Sequence, residues 1–463
     1  MIRISIDSFA MRKVDKIIIF VALAVHISFL VSLALHFEIV SIWPPKVKPE
    51  VEINTLYGNL EPIVEDYVLQ EGVPQSLSET RRAKGLHLWD RLFYDSTKYE
   101  VGFDFFGLYK GALDLLRGES MYQEARYDQT ETAFADKALP YYCPFIYPPI
   151  VAYFMVPLAL VLSPFKSYVL WTLIQEMLLV WCIIISRSLF RRGIEKSIVT
   201  AMWLCFAPFY LLLYIGQTSF VIAACLLILA SCYIAEWRKA GDWAWIISVA
   251  LKLLTLIVAP ILVRFKRYKA IIIAIAIVLL ASAPYFAFRP NDIDFFAFLV
   301  KSRTVAPYGG DLSHSEVSFY LFGRETGEIV SKIFMWAVIM LSMALTFLPK
   351  KIRFVDGLSL WMCTYFLAYI RVWEHHYVMM VPVLILLYFS TKSKFPLAMF
   401  VWLALPTPFF LFGGSWSLGE SLLHHLFKLV PVALLYIFTA KTIIKRRRED
   451  IPAVFQDLVR KAL

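Results

Sequence analysis

A single aspartate introduces an amphipathic run in a polar part of the sequence. Asp104 precedes the run 105–117, which Gly118 closes. Aspartate is a favoured N-cap of helices, so Asp104 could do no more than begin a helix here. A carboxylate beside apolar, membrane-length segments is also a candidate for chemistry. From these residues alone, both interpretations of Asp104 stay open.

The run after Asp104 has the period of an amphipathic helix. Its apolar face carries four residues: Phe106, Tyr109, Leu113 and Leu116. Three charged residues are expected away from that face: Lys110, Asp114 and Arg117. Such a helix would lie along the membrane interface.

Four ionisable residues lie together between two apolar runs: Arg371, Glu374, His375 and His376. On a helix, Arg371 and His375 would share a face at i, i+4, with Glu374 beside them. The two histidines do not form a zinc ligand set, because adjacent residues diverge on a helix and no third ligand is apparent. Structural histidines would account for the pair, but so many ionisable groups at one membrane boundary favour a functional cluster.

Lys252 lies inside the apolar stretch SVALKLLTLIVAP. An ammonium group there is costly unless it reaches the interface or meets an anionic partner. A substrate phosphate would be such a partner.

Gln217 follows Gly216 between two apolar runs and could simply finish a turn. Tyr147 precedes two prolines and suits an aromatic residue at the start of a membrane helix.

The sequence gives little reason to expect a metal. Asp292 and Asp294 form a D-x-D pair, but one such triplet is common by chance, and no metal or other cofactor is expected. The six cysteines show neither a disulfide framework nor metal-ligand spacing.

Composition places these residues in a membrane protein. Of 463 residues, 59% are hydrophobic, and the mean hydropathy is +0.65. Continuous apolar runs of about 17–25 residues recur along the chain, which is the length that a membrane-spanning helix needs. The net charge of +10 comes from basic clusters beside these runs, so it indicates cytoplasmic loops and no nucleic-acid partner. We predict an all-α polytopic membrane protein with about 11–13 membrane helices.

The first apolar segment follows a basic leader and is long, with no convincing cleavage site, which is typical of an uncleaved signal anchor with its N-terminus inside. The predicted parts are the leader and anchor helix (1–40), a first external loop with an interfacial helix and Asp104 (41–147), membrane helices with broken segments (148–288), a second large external loop (289–328), C-terminal membrane helices (329–443) and a basic cytoplasmic tail (444–463).

Two topologies fit the apolar runs. In the first, every run crosses the membrane once, which puts the basic loops 187–196 and 237–239 outside, against the charge rule. In the second, the runs 148–164 and 243–263 are broken into short hairpins, which returns both loops to the cytoplasm. We favour the second. Both place Asp104 and the cluster around His375 on the non-cytoplasmic side.

The order of these features resembles glycosyltransferase family 87, the polyprenyl-phosphate-sugar-dependent membrane enzymes of the GT-C class. An Asp-Phe start and a small-residue helix ending Leu-x-Gly-x-x-x-Tyr match 104–122. The Tyr-Pro-Pro, Gly-Gln and Trp-x-His motifs match at 147–149, 216–217 and 373–375. The resemblance covers about residues 100–390. The first external loop is longer than the pattern requires, with a charged insertion near 46–98.

The resemblance implies a GT-C type transmembrane bundle and an enzyme that transfers a hexose, expected to be mannose, from a polyprenyl phosphate to a hydroxyl group outside the cytoplasm. In this family the aspartate of the first external loop is the general base, a role that carries over to Asp104. Gln217, Tyr147 and Glu374 are expected to contact the acceptor or the sugar. The expected partners are a glycolipid or glycan acceptor in the cell envelope and the lipids of the cell membrane.

The chemistry of the residues agrees with that implication. A phosphate leaves an anomeric carbon as a stable anion, so no general acid is required. One carboxylate and a few cations are enough. The candidates for the phosphate are Lys252, Arg371, His375 and His376, with inversion at the anomeric carbon. The alternative function is a secondary transporter or lipid flippase, because charged residues in broken helices also suit a transport pathway.

Overall fold

A computed structural model of the chain describes residues 2–41, 101–122, 143, 145–294, 312–407 and 418–445. Within these ranges every regular element is a helix, which confirms the all-α polytopic class. The first helices are α1 (Ile2–Ser41), α2 (Phe103–Arg117), α3 (Pro149–Val161), α4 (Pro164–Ser188), α5 (Gly193–Leu204), α6 (Ala207–Ile215), α7 (Ser219–Ile234) and α8 (Arg238–Leu251). They are followed by a 3₁₀ helix (Leu253–Val258), α9 (Ala259–Arg264), α10 (Tyr268–Phe288), α11 (His314–Phe322), α12 (Arg324–Phe347), α13 (Phe354–Ala368), a second 3₁₀ helix (Glu374–Met379), α14 (Met380–Thr391), α15 (Phe395–Ala404) and α16 (Leu418–Lys445).

In the part of the chain that the structure describes, six helical segments are long and apolar enough to cross a membrane by length and composition: Lys13–Ala34, Pro164–Ser188, Gly193–Ile215, Tyr268–Phe288, Arg324–Phe347 and Leu422–Lys445. Five shorter apolar helices of 10–17 residues accompany them. At about 1.5 Å per residue, these cover roughly 15–25 Å, less than the hydrocarbon thickness of about 30 Å. Short helices of this kind leave polar turns within the bundle, and the candidate site is built on such turns.

The helices that carry the site begin at one common end of the bundle. α7 begins at Ser219, and the 3₁₀ helix before α14 begins at Glu374. Lys252, at the end of α8, contacts both beginnings, because its Nζ lies 3.3 Å from Ser219 Oγ and 3.0 Å from His376 Nε2. We call this end, defined by Ser219, Lys252 and His376, the site end.

The opposite ends of these helices carry basic loops. Tyr233, in the last turn of α7, stacks on Phe354 at the start of α13, with ring centroids 3.7 Å apart. Lys392, just after α14, pairs with Glu195 at 3.5 Å. We call this end the basic end, and its loops are 187–196, 237–239, 264–269 and 349–353. In the topology of full crossings, loops 187–196 and 237–239 would lie on the opposite side of the membrane from the other basic loops. In the structure they lie at the same end as those loops.

The run 243–263 folds back at Lys252. The backbone of Lys252 is extended (φ −153°, ψ 111°) and ends α8. After the turn, the chain returns along α8, since Trp245 Nε1 donates to Thr255 O at 3.1 Å. Arg267, just beyond α9, donates through Nε to Asp242 in α8 at 2.9 Å, so the hairpin starts and ends at the basic end. This is the reversal that the second topology requires.

The other expected hairpin is absent, and that part of the prediction was wrong. Residues 149–161 form one helix, Pro149–Val161, which passes through Pro157. Pro149 lies in the first turn, where no backbone donor is needed, and Pro157 removes only one internal hydrogen bond.

α2 is buried on more faces than its sequence predicted. Gly107 and Gly111 let Cys143 and Phe145 pack directly on it, because a Cβ would lie 2.0 Å from Cys143 O at Gly107 and 2.4 Å from the Phe145 ring at Gly111. Lys110 and Asp114 are buried and form an ion pair with each other. The sequence placed these two charges away from the apolar face of the helix but did not show that they would be buried. They neutralise each other within one helical turn, which reduces the cost of burying both.

Candidate active site

Asp104 lies in the first turn of α2 and is not its N-cap. The helix begins at Phe103, and the N-cap is Gly102 in the left-handed conformation (φ 77°), with no side-chain capping bond. The interpretation of Asp104 as a helix cap was therefore wrong. Its side chain is only partly exposed and is oriented by other contacts, described next.

Two side chains donate hydrogen bonds to the carboxylate of Asp104. Gln217 Nε2 lies 3.1 Å from Asp104 Oδ2, and the thiol of Cys143 also donates to the carboxylate. Burial among protein atoms raises the pKa of Asp104 to about 6. The positive charge of Lys252 and the two donated hydrogen bonds act against this rise but do not cancel it. Near neutral pH the carboxylate is thus mostly ionised and more basic than an ordinary aspartate.

The turn between α6 and α7 positions Gln217. α6 ends at Gly216, which is left-handed (φ 75°), and a Cβ there would lie 2.4 Å from the Cβ of Phe105. Only glycine combines this conformation with so close a contact. Trp171 Nε1 donates to Gly216 O at 3.0 Å and fixes the turn against α4. The Gly-Gln motif is therefore the point at which α6 meets α2 beside Asp104.

Tyr147 holds the side chain of Gln217 in place by a hydrogen bond. Its hydroxyl donates to Gln217 Oε1 at 2.7 Å. The backbone carbonyl of Tyr147 in turn accepts from the Tyr122 hydroxyl at 2.6 Å. Tyr122 is the tyrosine that ends the first sequence motif, so three of the motifs meet in one hydrogen-bonded chain that leads to Asp104.

Lys252 provides the positive charge of the site. Its ammonium group lies 3.0 Å from His376 Nε2 and 3.3 Å from Ser219 Oγ. Its charge acts on both Asp104 and His375. The hairpin turn at Lys252 therefore brings a cation into contact with His376, close enough for its charge to act on Asp104 and His375.

The two histidines differ in their contacts. His376 Nε2 accepts from the Lys252 ammonium group, so Nδ1 carries the ring proton and faces the Tyr365 hydroxyl at 3.3 Å. His375 is 6% exposed, and its Nε2 has no hydrogen-bond partner among the described residues. His376 therefore holds Lys252, while His375 keeps a buried polar atom available for a ligand.

Arg371 does not share a helix face with His375, contrary to the prediction. Residues 369–373 are not helical, and the 3₁₀ helix begins only at Glu374. The segment after the second loop holds this stretch, because Leu312 N–H donates to Val372 O at 2.6 Å and Ser313 Oγ donates to Ile370 O at 3.0 Å. These bonds replace the helical ones that the i, i+4 spacing assumed. Arg371 is partly exposed in this extended stretch.

Glu374 belongs to a separate buried group. Its Oε1 lies 3.0 Å from Lys428 Nζ, and Thr407 Oγ1 donates to its other oxygen. Lys428 is fully buried and also donates to Leu403 O at 2.7 Å. This group joins α16 to the segment that carries the histidines.

The structure brings together six of the predicted site residues: Asp104, Tyr147, Gln217, Lys252, His375 and His376.

In the described ranges, no group of three or more His, Cys, Asp or Glu side chains is arranged to hold a metal ion. Asp292 of the D-x-D pair is buried and accepts hydrogen bonds from Ser120 Oγ at 2.6 Å and from Tyr285. Met121 N–H donates to Tyr285 OH at 2.9 Å. Asp292 therefore joins the end of α10 to the chain that follows α2.

Three residues near the site had not been predicted from the sequence: Cys143, Ser219 and Tyr365. Ser219 lies two residues after Gln217, and Cys143 lies four before Tyr147, so their closeness to the motifs was the available signal. Tyr365 lies in an apolar helix and has no distinguishing neighbour in sequence.

Comparison with known proteins supports the resemblance. The model of Glycosyltransferase family 87 matches residues 145–372. The matched part includes Tyr147, Gln217 and Lys252, begins after Asp104 and ends before His375. No curated protein and no solved structure gives a significant match.

Proposed function

Because the chain belongs to glycosyltransferase family 87, which makes it a membrane glycosyltransferase, we propose that it transfers a sugar from a polyprenyl phosphate to a hydroxyl group. The single observation that carries this proposal is the position of Lys252, whose ammonium group contacts His376 and whose charge acts on both Asp104 and His375. A base and a phosphate ligand close to the same cation form the arrangement that this reaction needs.

Asp104 is the general base in this proposal. It accepts the proton of the acceptor hydroxyl while that oxygen bonds to the anomeric carbon of the sugar. The bond between the anomeric carbon and the phosphate oxygen breaks at the same time, and its electron pair leaves with the polyprenyl phosphate. Attack opposite the leaving group inverts the anomeric carbon. A pKa near 6 suits this role, because the carboxylate is ionised at neutral pH and still basic enough to accept a proton.

The leaving phosphate is stabilised by Lys252 and His375. Lys252 supplies a full positive charge, and His375 supplies the buried ring nitrogen that has no partner among the described residues. His376 and Ser219 hold the ammonium group of Lys252 in place. Charge that develops on the phosphate oxygens is then met by groups that are already oriented, which is the most effective form of electrostatic catalysis. Arg371, which is partly exposed, is a further candidate ligand for the phosphate.

The charge distribution supports a site on the non-cytoplasmic side of the membrane. The basic loops lie at the end of the bundle opposite Asp104 and Lys252, and basic loops stay in the cytoplasm. The site end is then non-cytoplasmic, where the acceptor is a glycolipid or glycan of the cell envelope. The sugar is expected to be mannose, as the family resemblance implies, and no metal takes part in the proposed steps.

The test uses the purified full chain in lipid nanodiscs with radiolabelled polyprenyl-phosphate mannose and a lipid extract as acceptor. We expect label in a new, larger glycolipid. Asp104→Asn should lower turnover at least about 100-fold, the usual contribution of a general base. The matched control is Asp294→Asn, the same change at an exposed position, which should leave turnover unchanged.

Near-normal turnover by the Asp104→Asn protein would contradict the proposed role of the carboxylate. Uptake of a solute into proteoliposomes without any glycosylated product would instead support the transporter alternative.

A further inference from the structure

Both the oxygen and the nitrogen of the Gln217 side-chain amide form hydrogen bonds. The carbonyl oxygen Oε1 accepts from the Tyr147 hydroxyl at 2.7 Å, from the Thr218 N–H at 2.7 Å and from Thr218 Oγ1 at 3.0 Å. A backbone N–H can only donate, so the atom that faces it must be the amide oxygen. The amide nitrogen is therefore the atom that faces Asp104, at 3.1 Å. The hydrogen-bond network settles this orientation without reference to a substrate.

The surroundings of Gln217 keep the amide in that orientation. The side chain is 5% exposed, so it has little room to rotate and presents little surface to a sugar. Its backbone follows Gly216, whose turn is held by Trp171 and packed on Phe105, one residue from Asp104. Gln217 and Asp104 are thus fixed relative to each other by backbone packing as well as by their hydrogen bond.

We propose that Gln217 is a positioning residue that holds the Asp104 carboxylate for the acceptor hydroxyl, rather than a residue that binds the sugar. The inference rests on the proposed function of Asp104. Gln217 Nε2 occupies one lone pair of Oδ2 and fixes the plane of the carboxylate, which leaves its remaining lone pairs for the proton of the acceptor. Tyr147 and Thr218 act indirectly, because their hydrogen bonds fix the amide of Gln217.

This role has a measurable consequence for proton binding. A hydrogen bond donated to a carboxylate favours its ionised form, so removing the bond makes Asp104 hold its proton to higher pH. Two other groups act on this carboxylate: the ammonium of Lys252 and the thiol of Cys143. Both remain when Gln217 is replaced, so a change in the titration of Asp104 reports the loss of the Gln217 bond itself.

The experiment measures kcat and KM of the full chain in nanodiscs between pH 5 and 9, with polyprenyl-phosphate mannose as the donor. For the wild type, kcat/KM should rise with pH through about 6, the pKa of Asp104. Gln217→Met keeps the length of the side chain but removes its donor, and should move this rise upward by about one pH unit. Gln217→Glu adds a second carboxylate and should move it further. The KM for the donor should stay within about twofold for Gln217→Met.

The matched control is Tyr168→Phe. The Tyr168 hydroxyl donates to the Leu213 and Tyr214 carbonyls in α6. Its loss weakens the attachment of this helix but leaves the hydrogen bonds from Gln217 and Cys143 to the carboxylate in place, so the pH profile should not move. If Gln217→Met fails to fold, Tyr147→Phe removes one of the three donors to Oε1 and should shift the profile in the same direction by a smaller amount.

An unshifted pH profile together with a rise in KM for donor or acceptor of tenfold or more would overturn the inference, because it would make Gln217 a sugar ligand. An unshifted profile in both Gln217→Met and Tyr147→Phe would also overturn it. Either result is obtained with a wild type that transfers sugar, whereas a wild type without transfer would refute the proposed function itself.

Discussion

Asp104→Asn should make the folded protein more stable at pH 8 while it removes transfer activity. Burial raises the pKa of Asp104 from the ordinary 3.8 to about 6 in the folded state. The folded state thus binds this proton more tightly than the unfolded state does. Stability therefore falls as pH rises from about 4 to about 6, and the full cost of the buried charge is present above pH 6.

The size of the effect follows from the same two values. A difference of about two pKa units corresponds to roughly 3 kcal/mol at about 1.4 kcal/mol per unit, which is an upper figure for a group that keeps some exposure. Asparagine has no charge to bury, so the variant avoids this cost. Below the ordinary pKa of 3.8 the aspartate becomes protonated in both states, so the difference in the free energy of unfolding should shrink towards zero there.

The assay compares the unfolding of wild type and variant in the same detergent at pH 4, 6 and 8, by tryptophan fluorescence with a chemical denaturant. Other titrating groups affect both proteins alike, so the difference at each pH isolates residue 104. A variant that is equally stable or less stable than the wild type at pH 8 would refute the argument that Asp104 is a destabilised, basic carboxylate.

Three further predictions concern the cations and the histidine. Lys252→Met should raise the KM for the lipid donor at least tenfold and move the rise of kcat/KM to higher pH, because the charge that lowers the pKa of Asp104 is lost; an unchanged KM would argue against a phosphate at Lys252. His375→Asn should also raise the donor KM, by about five- to tenfold, without moving the pH profile. Lys428→Met should destabilise the fold by about 3–5 kcal/mol by leaving Glu374 buried without its cation, and adding Glu374→Gln should recover part of this loss in denaturation experiments.

Several features of the site could be predicted from the sequence because they depend on local chemistry. A lysine in an apolar run must either reach the interface or meet an anion, and the chain turns back at Lys252 to place it at the site end. The Gly-Gln pair indicated a turn, and Gly216 adopts the left-handed conformation that such a turn needs. The basic loops indicated one common end of the bundle, and the described contacts place them there.

Other features depend on contacts between distant parts of the chain, which spacing along one element does not reveal. The packing of Cys143 and Phe145 on the glycines of α2 is one such contact. Glu374 meets Lys428, far along the chain.

The same limit applies to two other interactions. His26 in α1 lies 3.0 Å from Glu176 in α4. This polar contact joins two apolar helices, and the sequence of either helix alone does not reveal it. The helical spacing of Arg371 and His375 was misleading, because hydrogen bonds from residues 312–315 hold the chain extended before the 3₁₀ helix.

The most direct test of the account is the anomeric configuration of the product. The purified chain is supplied with polyprenyl-phosphate mannose of known configuration, labelled with ¹³C at the anomeric carbon, and the glycolipid product is analysed by NMR. A single base at Asp104 and a phosphate held at Lys252 and His375 predict one product, inverted at the anomeric carbon, and none when a nucleotide sugar replaces the lipid donor. A product with retained configuration, or transfer from the nucleotide sugar at a comparable rate, would contradict the account.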